Sequence, residues 1–347
     1  MSVSSVLTVS VIIPVHAGAQ HFHDCMRSLS RLRPAPYETI VAADGEIGAH
    51  AALAESFGAR VIKLASAGGP GRARNEGARA ASGDVLFFID SDVTVPETAV
   101  SRVVEFFIEE PRLAALIGSY DEEPEASNFL SQYKNLLHHF VHQSARAEAS
   151  TFWGACGAIR REVFLAMDGF DESYGRPSIE DIELGYRLKL AGHRIRLAKE
   201  IQVKHLKHWS ARSLLESDLF HRALPWTNLM LRHGRLLNDL NFRPASRASA
   251  LAAWLLFISL AGGAWSRGSL LISAASALAL LALNAPLYRF FHRKRGFRFA
   301  TQAIVWHWFY YLYSSAAFAV GTLIHLVRRA LHQLYRTPGA IAPIKRL

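Results

Sequence analysis

Cysteine is nearly absent from this 347-residue chain: Cys25 and Cys156 are the only two. That excludes a disulfide framework and a four-thiolate zinc site, and it fits a reducing compartment. Basic residues are missing from the first 26 positions, so the apolar start lacks the charged region of a signal peptide. Acidic residues are missing from 241–347, which hold 13 Lys and Arg and no Asp or Glu. Residues 1–240 hold 26 Lys and Arg against 29 Asp and Glu, a net of −3. The overall +10 therefore belongs to the C-terminal part alone. Half of the chain is apolar, which excludes a disordered tail protein. Nucleic-acid binding is disfavoured because the basic part is also the apolar part and the rest is acidic.

Up to about residue 210 the pattern alternates between apolar runs and helical stretches. Strands are expected at 9–15, 38–45, 59–65 and 84–92, and helices at 21–33, 69–83, 97–110 and 126–146. A further helix is expected within 178–195, closed by Gly192. Alternation of this kind argues for a doubly wound α/β domain with ligands at the carboxyl ends of the strands. Asp44, Asp90 and Asp92 fall at such ends. Residues 211–243 read as amphipathic interfacial helices interrupted at Pro225. From 244 onward, apolar blocks at 248–265, 269–288 and 300–327 are read as membrane segments separated by a basic loop at 289–298 and followed by a basic tail. Positive-inside placement of both loop and tail conflicts with a single crossing between them, so one block is expected to re-enter or lie at the interface.

Several residues carry chemistry. Asp90-Ser91-Asp92 places two carboxylates on one side of an extended chain, where they can hold a divalent cation and through it a diphosphate. The same pair could equally cap a turn. Gly68, Gly69 and Gly71 open a helix whose first turn carries Arg72 and Arg74, a phosphate-binding arrangement or simply a loop entering a surface helix. Glu180-Asp181 could supply a general base or decorate a helix start. His205 and His208 follow a strand-like stretch and could complete a metal shell. His138, His139 and His142 read as a packed or solvated helix face, and Cys156 as a small buried residue.

The order of these motifs resembles the family 2 glycosyltransferases of the GT-A fold. VSVIIPVHAG resembles their opening strand, AADG their acidic turn, and FFIDSD their metal-binding strand. RREVFLAMDGFDE followed by IEDIELGYRLKLAG resembles their acceptor-side segment. The resemblance covers about residues 8–210. It implies a GT-A catalytic domain at 1–210 that binds a nucleotide sugar, a UDP-sugar above others, through Pro14, Asp44, Arg72, Arg74 and Asp90. It implies Mg2+ or Mn2+ at Asp92 with His205, Asp181 as catalytic base, and Trp153 and Glu180 on the acceptor side. The sequence departs from the family at His16-Ala17, Ala43 and Glu183. It also lacks the Q-x-x-R-W motif of processive synthases, which favours transfer of one sugar.

The expectation is thus a membrane-anchored inverting transferase of an inner membrane, with a cytoplasmic catalytic domain and a glycan or lipid-linked acceptor. A polyprenyl-phosphate acceptor and a non-catalytic membrane scaffold are the alternatives. No nucleic-acid partner is expected.

Overall fold

The computed structural model describes residues 7–234, 244–263 and 266–335. The end of the expected interfacial segment (235–243), residues 264–265 of the first apolar block and the basic tail from 336 lie outside the described residues.

The core is a sheet in the order β3-β2-β1-β4-β8-β6-β9-β5, in which β5 is the short strand Val93–Thr94, with β7 (Glu148–Ala149) also paired to β9. Strands β1 (Val9–Val15), β2 (Glu38–Ala43), β3 (Arg60–Lys63) and β4 (Val85–Ile89) run parallel. β8 (Cys156–Arg160) is antiparallel to both β4 and β6 (Leu113–Tyr120), and β6 runs parallel to β9 (Arg194–His205). The sheet is therefore mixed, and β8 breaks the all-parallel pattern that alternation suggested.

Both faces of the sheet are covered, which is why its central strands are continuously apolar. Val85, Phe87 and Ile89 of β4 pack into one cluster with Phe22 and Met26 of α1 (Phe22–Leu29) and Val103 of α4 (Ala99–Glu109). Leu86 and Phe88 pack into another with Phe164 of α6 (Arg161–Ala166) and Leu184 of α7 (Glu180–Leu190). Helix α2 (Ala49–Ser56) joins β2 to β3, and α3 (Pro70–Ala80) joins β3 to β4. Pro14 lies in β1 beyond the residues that pair with β4, so its missing N–H breaks no ladder there.

The run from 211 is helical without a break at Pro225. α8 (Ala211–Glu216) continues through a π-helical stretch, Ser217–Ala223, into α9 (Leu224–His233). Pro225 lies inside this continuous run, and the carbonyl of His221, four residues before it, accepts from the Ser178 hydroxyl (2.8 Å). Leu214, Leu229 and Met230 are buried within the protein, whereas Phe220 is exposed.

α10 (Pro244–Gly262) and α11 (Arg267–Leu283) form an antiparallel pair. Ser259 and Ser273 hydrogen-bond at one end (2.8 Å), and Asn284 donates to Ser249 at the other (3.0 Å). α12 (Ala285–Tyr335) turns sharply at Gly296, whose φ of 80° lies in the left-handed region. Around that turn it packs on α5 (Phe129–Ser144), with Tyr133 and Leu136 against Phe291 and Ala303. Further on it runs alongside α10, where Trp254 donates to Ser315 (2.9 Å).

The interior of this bundle is small and polar, while Leu251, Phe257, Ile258, Leu271, Leu278 and Leu323 are exposed. Among the described residues two helices, Pro244–Gly262 and Ala285–Leu331, are long and apolar enough to cross a membrane; α11, at 17 residues, is a shorter apolar helix. The expected basic loop at 289–298 is corrected. It is helical on both sides of Gly296 because Lys and Arg favour helix, and it is pinned to the sheet domain. Lys294 pairs with Glu122 (2.7 Å), and Arg295 donates to Gln132 Oε1 (2.8 Å) and to the Glu122 carbonyl (2.8 Å).

Candidate active site

The carboxyl ends of β1, β2 and β4 meet at one edge of the sheet, and the start of α3 closes over it. Asp44 follows β2, and its carboxylate accepts the N–H groups of Gly68 (2.7 Å) and Gly69 (3.1 Å). It thereby fixes the loop that opens α3. Gly69 has φ 87° and lies against the 174–175 backbone: a Cβ there would fall 2.8 Å from the Gly175 carbonyl carbon and 2.9 Å from the Tyr174 oxygen. Arg72 is half-buried and lies 3.5 Å from the Ser66 hydroxyl.

Arg74 is the hub of the site. It is 4% exposed, and its two terminal nitrogens bind Asp90 (2.6 Å) and Glu180 (3.0 Å). Burial works against its charge, but the two carboxylates hold it protonated, above the ordinary arginine value. Phe170 lies under its guanidinium, 5.4 Å from ring centroid to Cζ, and Gly154 leaves space that a Cβ would fill at 2.9 Å. Glu180 also accepts from the Ser178 N–H (2.9 Å), so its lone pairs serve the fold. Burial raises the Asp90 carboxyl; Arg74 opposes this, and the neighbouring charges of Asp92 and Glu180 add to it.

Asp90 and Asp92 stand on a turn, not within the strand, because β4 ends at Ile89. The Val93 N–H donates to the Asp90 carbonyl (3.3 Å), and β5 (Val93–Thr94) pairs with the end of β9. That pairing puts Asp92 Oδ2 3.7 Å from His205 Nε2. Burial alone would raise the Asp92 carboxyl, but His205 and then Lys207 hold it below the usual carboxylate range. Tyr120 stacks on His205 (centroids 4.4 Å, planes 18° apart) and meets Trp153 edge-on at 4.8 Å.

His138 and His142 extend this ring cluster. His138 sits 4.7 Å from Trp153, and burial drives it well below its ordinary value, keeping it neutral. The reading of 138–142 as a packed face agrees with His139 and His142, which contact the backbone oxygens of Tyr120 (2.8 Å) and Gly118 (3.1 Å). Cys156 is buried with a free thiol. Sequence reasoning missed Tyr120; nothing local marks a strand-end tyrosine as a ring partner for a histidine 85 residues away.

Asp181 begins α7. One oxygen accepts the Gly154 N–H (3.1 Å) and the other its neighbour Ile182 N–H (2.7 Å). Burial and the charge of Glu180 push its carboxyl up to about 6, against the pull of Gly154, Arg74 and Arg222. Such a carboxylate is ionised at neutral pH yet basic enough to take a proton. Trp153, next to Gly154, stands beside it in the chain.

Among the described residues, no group of three or more His, Cys, Asp or Glu forms a ready metal site. Asp92 and His205 alone give one oxygen and one nitrogen donor. That incomplete set suits a hard cation whose remaining ligands are water and substrate phosphate.

Residues 10–167 match the family described as Glycosyl transferase family 2. The pre-mycofactocin glycosyltransferase of Mycobacterium tuberculosis is 28% identical over 286 residues, covering 76% of this chain and 55% of that protein. The O-antigen biosynthesis protein RfbC of Myxococcus xanthus is 30% identical over 195 residues, 51% of this chain and 14% of that one. The chain thus spans about half the length of the first of these relatives, or less. Among solved structures, a mannosyltransferase from Pyrobaculum calidifontis in complex with GDP-Man and Mn2+ covers 92% of this chain and 86% of its own, at 13% identity and a TM-score of 0.53. S. aureus TarS 1–349 in complex with UDP-GlcNAc covers 87% and 89%, at 16% identity and a TM-score of 0.50. These likenesses establish the expected GT-A type of fold.

Proposed function

From a chain whose residues 10–167 are a family 2 glycosyltransferase domain, we propose a membrane-anchored inverting transferase. It moves one sugar from a metal-bound nucleotide sugar, a UDP-sugar or similar donor, to an acceptor hydroxyl of a glycan or glycolipid. Residues up to 210 are the catalytic domain, 211–243 lie at the interface, and 244–347 form the membrane region.

The observation that carries this reading is the division of four acids at one edge. Arg74 ties down Asp90 and Glu180, while Asp181 and Asp92 keep oxygens for ligands. Asp44 retains lone pairs for the base of the nucleotide, since an ionised carboxylate has about four acceptor sites and two are used. Pro14, Arg72 and Asp90 border the donor. Asp92 and His205 would hold Mg2+ or Mn2+, which neutralises charge on a leaving diphosphate. Asp181 takes the proton of the acceptor hydroxyl as that oxygen bonds to the anomeric carbon. The bond from that carbon to the diphosphate breaks on the opposite face, and configuration inverts.

Membrane attachment is supported by the two long apolar helices and their outward-facing leucines. The cluster Arg289, Arg293, Lys294, Arg295 and Arg298 lies on the same side as the catalytic domain, because Lys294 and Arg295 bind it. Positive-inside placement then puts both in the cytosol, at an inner membrane.

The test is a panel of nucleotide sugars against the purified full chain, reading thermal shift and turnover with and without Mn2+. One donor should stabilise the protein only with metal, and Asp92→Ala or a chelator should abolish turnover. Full turnover in excess EDTA would overturn the reading.

A further inference from the structure

A cavity of about 410 Å3 lies between α5, the π-helical stretch, α9 and the apolar helices α10 and α12. Its size is that of a small-molecule site. Its walls are mixed in a definite way. Trp226, Met230, Ala250 and Phe318 supply apolar surface, while Lys134 and Arg222 both act on Asp218, the one carboxylate among the lining residues. Asp218 is already engaged by Lys134 (2.6 Å) and by the Tyr313 hydroxyl (2.8 Å). Arg222 is exposed and has no ion pair within 4 Å among the described residues. The cavity therefore carries uncompensated positive charge beside a greasy wall.

Its position matters as much as its charge. Trp226 and Met230 pack on Ile179, Ile182 and Tyr186, which flank and form the start of α7. Ser178 donates to the His221 carbonyl (2.8 Å), one residue before Arg222. The charge of Arg222 is felt at Asp181, Tyr120 and His138. On the other side, Leu251 and Leu255 of α10, close after Ala250, are exposed on the face that would meet lipid.

Resting on the transferase reading above, we propose that this cavity receives the acceptor, an anionic amphiphile built of an alkyl or prenyl chain and a phosphate-bearing head. The tail lies between α9, α10 and α12. The phosphate is held by Arg222 beside Lys134, and a hydroxyl further along the head reaches Asp181. Cationic guanidinium with phosphate is a strong charge-assisted pairing, and the apolar walls favour a chain over a free ion.

The experiment uses the full chain in neutral detergent, with hexadecyl phosphate as probe and intrinsic tryptophan fluorescence as readout. Hexadecanol supplies the tail without charge, and inorganic phosphate the charge without tail. Hexadecyl phosphate should bind at least about tenfold more tightly than either, as expected when a charged hydrogen bond is added to apolar burial. Arg222→Ala should weaken it about tenfold, Arg222→Lys less, and Ala250→Trp should block it by filling the cavity. Equal binding of hexadecanol would overturn the anionic head, and equal binding of inorganic phosphate would overturn the lipid chain. Unchanged affinity in both Arg222→Ala and Ala250→Trp would place the probe elsewhere and overturn the proposal. Nucleotide-sugar binding is measured in parallel on the unsubstituted protein. It reads the donor half alone, so failure of the cavity and failure of the transferase reading are told apart.

Discussion

Residues 90–92, on a turn after β4, and residues 180–181, at the start of α7, each bring two carboxylates to the same edge of the sheet. In both regions one acid is bound to Arg74 and the other is not. The routes differ. On the turn, Ser91 separates the acids, and the free one, Asp92, is drawn to His205 by the β5–β9 pairing. On the helix the acids are neighbours, and about 100° of rotation sends Glu180 inward to Arg74 and Asp181 to the Gly154 N–H. Two acids adjacent in sequence are therefore not duplicates. One anchors the edge, and the other is the one proposed for chemistry.

The comparison breaks most sharply at the free acid of α7. Asp181→Asn should lower kcat by about 10²–10⁴-fold with donor affinity retained. Glu180→Gln should lower kcat less and show its effect as a lower Tm. A near-normal rate in Asp181→Asn with a dead Glu180→Gln would reverse the two roles; activity in both would favour a phosphate oxygen as the attacking group, which needs no base.

Next in size is removal of the hub. Arg74→Met leaves Asp90 and buried Glu180 without their counter-charge, and breaking a buried pair this way costs about 3–5 kcal/mol. Thermal unfolding should show the loss, and adding Glu180→Gln should restore part of it. An unchanged Tm would mean the anchoring role is wrong.

The smallest effect is graded. The Asp181 carboxyl is raised to about 6, so the base form is lost as pH falls through that value. kcat should be level near neutrality and drop up to about tenfold per pH unit below about 6. Because the Glu180 charge helps raise Asp181, Glu180→Gln should move this acid limb to lower pH. A kcat profile flat down to pH 4.5 would exclude Asp181 as the base.

What was legible in the sequence followed from local rules. β1, β2 and β4 read correctly because strands covered on both faces are continuously apolar, and the glycine-opened α3 read correctly from its turn chemistry. Asp44, Asp90 and Asp92 stood out by position, and Asp181 through the family resemblance. The insertion of β8 against the direction of its neighbours did not, since pairing order leaves no local trace. Nor did the Arg74 pairs, which join residues 16 and 106 positions apart. A signal was present in hindsight: Arg74 is a lone arginine among Gly71, Ala73, Gly77 and Ala78, small residues buried on the packed face of α3. In the basic stretch 289–298 charge suggests a loop, whereas the helix propensity of its Lys and Arg prevails on both sides of Gly296.

Gly69 has a consequence that reaches across the site. The loop that Asp44 fixes and the loop that leads into Asp181 touch there backbone to backbone, with no clearance for even a methyl group. The ends proposed for donor and acceptor are thus not two walls with a gap between them but two parts in direct contact. A displacement of residues 174–175 toward Gly69 therefore has to be taken up by the start of α3.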